Sequence, residues 1–168
     1  PGVLARHPQA VFVFKEHKLL DTNNYRGSCK ALVREMGVAD NARWVEETLS
    51  YSEIPDFYTC GDVAVSVSRS DGLPVSVMEA MACGLPLVLS PLAGVQESIA
   101  PRENALYVDP VEPETISSAI NTLLENQALR VQMGRANRDL ALAKFDFVPL
   151  MEQVEELYQE LSMQARAG

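Results

Sequence analysis

Along this chain, short apolar runs alternate with longer stretches of helical period. Residues 10–14 (AVFVF), 41–45 (NARWV), 62–67 (DVAVSV), 85–89 (LPLVL) and 104–108 (NALYV) have the length and bounding residues expected of buried strands. The spacing between them predicts helices. Residues 24–36 place Cys29, Leu32, Val33 and Met36 on one face, with Gly37 as the stop. Ser50-x-x-Glu53 has the form of a capping box. It starts a short helix that turns Ile54, Phe57 and Tyr58 inward and ends at Gly61. Pro113 opens a helix with Ile116, Ala119, Ile120, Leu123 and Leu124 on its apolar face. Residues 128–143 carry Leu129, Met133, Ala136 and Leu140 at the same period. A last stripe of Leu150, Met151, Val154, Leu157, Tyr158 and Leu161 suits a partner surface or the core, and core is the favoured reading because one stripe needs only one covering face. Residues 4–8 read as the tail of a helix closed by Pro8, and residues 15–24 as a polar loop. Strands alternating with helices indicate an α/β fold with a parallel sheet, in one domain.

Residues 62–90 organise the rest. Ser68-Arg69-Ser70-Asp71-Gly72 is turn chemistry between a strand and a helix. Pro74 sits near the first helical position, where its missing N–H costs nothing. Gly84 follows as the residue that closes the helix. Val75, Val77, Met78, Ala80, Met81, Ala82 and Cys83 make this helix apolar nearly all round, which predicts burial. Glu79 stands in its middle. A carboxylate there needs a cation, hydrogen-bond donors or a ligand. A structural role, bonded to backbone amides or a distant Arg, is one reading; a ligand contact is the other. The preceding loop favours a ligand. Gly72 lets backbone approach closely, and the N–H groups of the following helix end attract an anion such as phosphate. In a parallel sheet that end lies outside the carboxyl ends of the strands. Asp71 and Glu79 then share one edge of a phosphate-sized pocket.

At 168 residues the chain is long enough to bury a sizeable core, and its 47% hydrophobic and 22% charged residues are ordinary for a globular protein. The net charge of −9 argues against a broad nucleic-acid-binding face, though not against a small anion held locally. Cys29, Cys60 and Cys83 are too scattered for a disulfide framework or a zinc site, which suits a reducing, cytoplasmic setting. His7 and His17 stand alone and read as surface residues. No apolar run approaches the ~20 residues of a membrane span, and no signal peptide is visible. No Gly-x-Gly-x-x-Gly follows a predicted strand, which removes a dinucleotide-binding oxidoreductase.

The run Asp71-Gly72-Leu73-Pro74-Val75-Ser76-Val77-Met78-Glu79-Ala80-Met81-Ala82-Cys83-Gly84-Leu85-Pro86 resembles the signature of glycosyltransferase family 4 in its C-terminal, nucleotide-sugar-binding domain. The likeness lies in two acidic residues eight positions apart, then Ala-Met-Ala, a small residue, Gly and Pro, and it continues over nearly the whole chain. The family usually has Glu where Asp71 stands, and a Gly-Gly pair where Ala93-Gly94 stands before Glu97. The resemblance implies a GT-B fold, two Rossmann-like domains with the donor between them, of which this chain matches most of the second. It implies that an acceptor-binding first domain lies ahead of Pro1. The donor domain's first strand and the Arg and Lys for the diphosphate are expected there too. That strand is expected between the strands at residues 10–14 and 62–67, and the piece alone is expected to be inactive.

The resemblance also implies a retaining transfer of a sugar from a nucleotide diphosphate donor, with no metal or other cofactor. Glu79 would accept hydrogen bonds from the ribose hydroxyls, and Asp71 would contact the transferred sugar; these are its two catalytic candidates. The amides of Leu73, Val75 and Ser76, beside Gly72 and Pro74, would face the phosphates. Gly94 would approach the sugar or diphosphate, or serve as a plain turn. Trp44 and Val45 would lie near the base, although core packing is the favoured reading of Trp44 on its own. Glu97 reads as a cap or a pair. The expected partners are a nucleotide sugar and the first domain, with peripheral membrane association of the full-length protein and a role in polysaccharide biosynthesis. Two alternatives stay open: a GT-B-like sugar-nucleotide epimerase, and a non-catalytic nucleotide-binding or scaffold module.

Overall fold

A computed structural model describes residues 1–15 and 24–167. The predicted loop at residues 15–24 and His17 lie almost wholly outside these residues. The elements follow the predicted order: β1 (Phe12–Lys15), α1 (Tyr25–Glu35), β2 (Ala42–Val45), α2 (Ile54–Thr59), β3 (Ala64–Ser66), α3 (Val75–Ala82), β4 (Leu87–Leu89), α4 (Ala93–Gln96), β5 (Ala105–Tyr107), α5 (Pro113–Glu125), α6 (Gln127–Lys144) and α7 (Phe147–Ala167). All strand pairing is parallel. Among the described residues it forms two sheets, β1–β2 and β3–β4–β5, with no ladder joining β1 to β3.

The three-stranded sheet is covered on both faces, and strand period two sorts its side chains between them. Leu87 and Leu89 of β4 join Val77, Ala80 and Met81 of α3 in one cluster. Val88, between them, joins Ile120 and Leu123 of α5 and Met133 of α6 in the other. Burying each large side chain of this kind contributes about 1.5–3 kcal/mol. A polar latch crosses the first cluster. Asn137 of α6 is fully buried. Its Nδ2 donates to the Leu85 carbonyl at 2.7 Å, and its Oδ1 accepts from Asn104 Nδ2 at 3.0 Å. Gly134, one turn earlier on α6, packs directly on the backbone of Gly84: a Cβ built there would stand 2.1 Å from the Gly84 oxygen. Gly84 itself has φ +74°, the left-handed closure expected after α3.

Several expectations are corrected. The α7 stripe is not core: Leu150, Leu157, Tyr158 and Leu161 are exposed, and α7 packs closely on no other element among the described residues. Its period records a face suited to cover, without specifying the cover. α1 buries no residue, and Leu32 and Met36 of its predicted face are exposed. β3 is only half-covered, because Val65 projects into solvent at 45% exposure between the packed Val63 and Val67. Pro74 is the N-cap of α3, with φ −64° and ψ 137°, one residue ahead of the first helical position. At α2, the Ser50 amide donates to the Glu53 carboxylate at 2.8 Å, one half of the predicted box. The Ser50 hydroxyl also donates to Glu53, so Glu53 becomes the N-cap and the helix begins later. His7 is half-buried, with Nε2 3.5 Å from Glu125, instead of lying free on the surface.

Candidate functional site

The site grows from the carboxyl edge of the three-stranded sheet. Ser66 of β3 and Leu89 of β4 are register partners, so the loops that follow them leave on the same side. Ser90 ties the two loops together. Its amide donates to the Ser66 carbonyl at 3.2 Å, and its buried hydroxyl donates to the Ser68 carbonyl at 2.7 Å. Leu73 packs into the first core cluster and anchors the far end of the β3–α3 loop. Between these anchors, residues 69–72 are exposed.

The start of α3 is open to a ligand. The Pro74 carbonyl accepts from the Val77 and Met78 amides at 3.0 and 3.3 Å. The amides of Val75 and Ser76 lie too early in the helix to have an intrahelical acceptor, and no side chain caps them. Both residues are exposed. Two N–H groups and the positive helix end therefore face outward. Asp71 lies on the loop tip, where its Oδ1 accepts from the Gly72 amide at 2.8 Å. Nothing lies within 4 Å of a Cβ built on Gly72. Gly94, near the start of α4, packs against Gly72 instead: its built Cβ would sit 3.3 Å from Gly72 Cα. The sequence left Gly94 open between a ligand contact and a plain turn; it stands beside the loop that carries Asp71.

Glu79 is half-buried on α3. Its Oε2 accepts from the Tyr58 hydroxyl of α2 at 3.1 Å. Among the described residues it has no cation within ion-pair range. The partner is thus a phenol, neither the backbone amides nor the Arg that a purely structural role suggested. Burial pushes the Tyr58 hydroxyl well above its ordinary pKa, and the Glu79 charge pushes it further. Burial also raises the nearby Cys83 thiol; Arg138 opposes that shift and Glu79 adds to it. Arg138 donates to the Ala82 carbonyl at the C-terminal end of α3, the end of the helix dipole that favours a cation.

Asp71, Gly72, Leu73, Pro74, Val75, Ser76, Glu79 and Gly94 are thereby gathered along α3 and the loops at one sheet edge. Trp44 and Val45 stand in the other sheet, at the carboxyl end of β2. Trp44 is half-buried, stacked on Phe14 at 4.5 Å between centroids, with Lys30 Nζ 5.1 Å from the ring centroid. Glu97 is exposed and forms the C-cap of α4. Tyr58 and Ser90 were not foreseen as parts of the site. A signal for Tyr58 existed: a buried tyrosine needs a partner for its hydroxyl, and a lone carboxylate needs a donor.

Comparison with known proteins bears on the family and the fold. The chain is 28% identical over 132 residues to D-inositol 3-phosphate glycosyltransferase of Corynebacterium diphtheriae, covering 79% of this chain and 30% of that protein. It spans about a third of the length of such relatives. Sucrose-phosphate synthase of Thermosynechococcus elongatus superposes with a TM-score of 0.84 at 25% identity, over 96% of this chain and 41% of its own. Anabaena HepE in complex with UDP-glucose shares the fold, with a TM-score of 0.82 at 18% identity, over 95% of this chain and 44% of its own. The profile described as Glycosyl transferases group 1 matches residues 4–140, and the chain belongs to that family.

Proposed function

We propose that this chain is the donor-binding domain of a retaining glycosyltransferase that moves a sugar from a nucleotide diphosphate sugar to an acceptor. The observation that carries the proposal is the meeting, along one short helix, of unpaired first-turn amides and a half-buried carboxylate. The amides suit a diphosphate and the carboxylate suits a vicinal diol, the two polar features of a nucleotide. The relative HepE, in complex with UDP-glucose, supports a donor of this class. The first domain, the acceptor and membrane association belong to the whole protein and are proposed with it.

In the reaction, the bond from the anomeric carbon to the diphosphate oxygen breaks. A bond from the acceptor oxygen forms on the same face of the sugar, and the acceptor proton is released. Negative charge grows on the departing phosphate. The amides of Leu73, Val75 and Ser76 are the donors that offset it. Glu79 holds the ribose, Asp71 meets the transferred sugar, Gly94 keeps space beside the loop, and Trp44 and Val45 flank the base. No metal is assigned a part in this reading. Among the described residues, no three His, Cys, Asp or Glu side chains gather as ligands.

Glu79→Gln tests the proposal. Donor affinity or turnover should fall at least about tenfold, equal to about 1.4 kcal/mol. Unchanged binding in a folded protein would sink the ribose role. A second reading, a nucleotide-binding module without turnover, draws on Asp71, whose Oδ1 is engaged by its own loop at Gly72. Under that reading UDP and UDP-glucose bind equally; under the first, the attached sugar changes affinity through Asp71.

A further inference from the structure

We propose that Tyr58 is a positioning residue for nucleotide recognition, which aims the Glu79 carboxylate by a hydrogen bond and leaves its other oxygen free for the ribose. The inference rests on the reading of Glu79 given above. Tyr58 and Glu79 sit on α2 and α3, which pack against each other. The Tyr58 ring packs on the first core cluster and stands edge-on to Phe57, with centroids 5.2 Å apart and planes at 76°. The ring fixes the place of its hydroxyl. That hydroxyl donates to Glu79 Oε2 at 3.1 Å. A phenol has one O–H, so one lone pair of Oε2 is used and Oε1 keeps both of its own. Because burial and the Glu79 charge both oppose ionisation of Tyr58, the donor stays in place across the neutral range.

The surroundings make the aiming matter. The residues one turn from Glu79 on its own face of α3 are Val75, Ser76, Ala82 and Cys83, none of them charged, so Tyr58 is the polar side chain that holds the carboxylate. No cation among the described residues competes for the carboxylate. A free glutamate loses rotamer entropy when it binds, and a pre-set one loses less. Tyr58 therefore contributes to affinity only for ligands that use Glu79.

Ligands with and without the ribose hydroxyls separate this role from packing. Ligand-observed NMR of the chain is run with UDP, GDP and ADP and with their 2′,3′-dideoxy counterparts. Tyr58→Phe, which keeps the ring, should weaken the ribonucleotide that binds by roughly three- to tenfold, the net worth of one hydrogen bond. It should leave the dideoxy form unchanged. Glu79→Gln should abolish the preference between the two forms, and adding Tyr58→Phe to it should cost nothing more. Equal weakening of both forms by Tyr58→Phe, in a sample with wild-type melting behaviour, overturns the proposal in favour of packing. No effect of Tyr58→Phe beside a clear loss in Glu79→Gln overturns it too, while the ribose reading survives. An intact preference in Glu79→Gln removes both.

Discussion

Residues 62–144 and residues 10–45 are built alike, from parallel strands with helices between them, yet they differ in cover. In the first region all three residues of β4 are buried, with α3 on one face and α5 on the other. In the second, among the described residues, β1 pairs only with β2, Val11 and Val13 are 51% and 50% exposed, and α1 buries nothing. The ladders are equally regular. A parallel ladder thus supplies alignment, while stability comes from helices on both faces. The contrast extends to function. The acidic and amide groups of the candidate site lie on the covered region, and the two residues proposed to flank the base lie on the open one.

The sharpest way to break the comparison is at the α3–α6 contact. Gly134→Ala places a methyl group 2.1 Å from the Gly84 oxygen, where backbone must move. We expect a loss of about 3 kcal/mol or more by chemical denaturation. A loss below about 1 kcal/mol would mean that this region is not tightly built. Next comes Asn137→Ala. It strands the buried Leu85 carbonyl and the Asn104 amide, and should cost about 2–3 kcal/mol. Wild-type stability in this variant would remove the latch from the account. The smallest effect is expected in the open region. Phe14→Leu breaks the stack on Trp44 and should cost about 0.5–1.5 kcal/mol. A larger loss would show that the stack carries more of the fold than its own contact, on the strand whose Phe12 packs against the second cluster.

Legibility in the sequence follows the same division. The strands at residues 85–89 and 104–108 and the helices α5 and α6 were readable because local period and real cover agree there. Gly84 was readable because a left-handed closure needs glycine. The α7 stripe misled because a period names a face and never its partner. Val65 and Leu32 misled likewise, since apolar character was equated with burial. At the candidate site, Glu79 was singled out as a carboxylate in an apolar helix, and Asp71 through its loop and a family likeness. Tyr58 was seen only as an inward aromatic, because its bond to Glu79 joins two helices 21 positions apart. Asn137 and Ser90 were missed for a different reason: they donate to backbone carbonyls that no side-chain pattern reveals.

The Ser90–Ser68 bond divides the donor loop into a fixed root and a short exposed tip. Only the tip, residues 69–72, would adjust to an incoming sugar, so the ordering entropy of capture is limited to a few residues. Substitutions there touch little of the buried framework. Under the role proposed for Asp71, a lineage carrying this root can therefore trial new sugars there while its folding energy stays nearly constant.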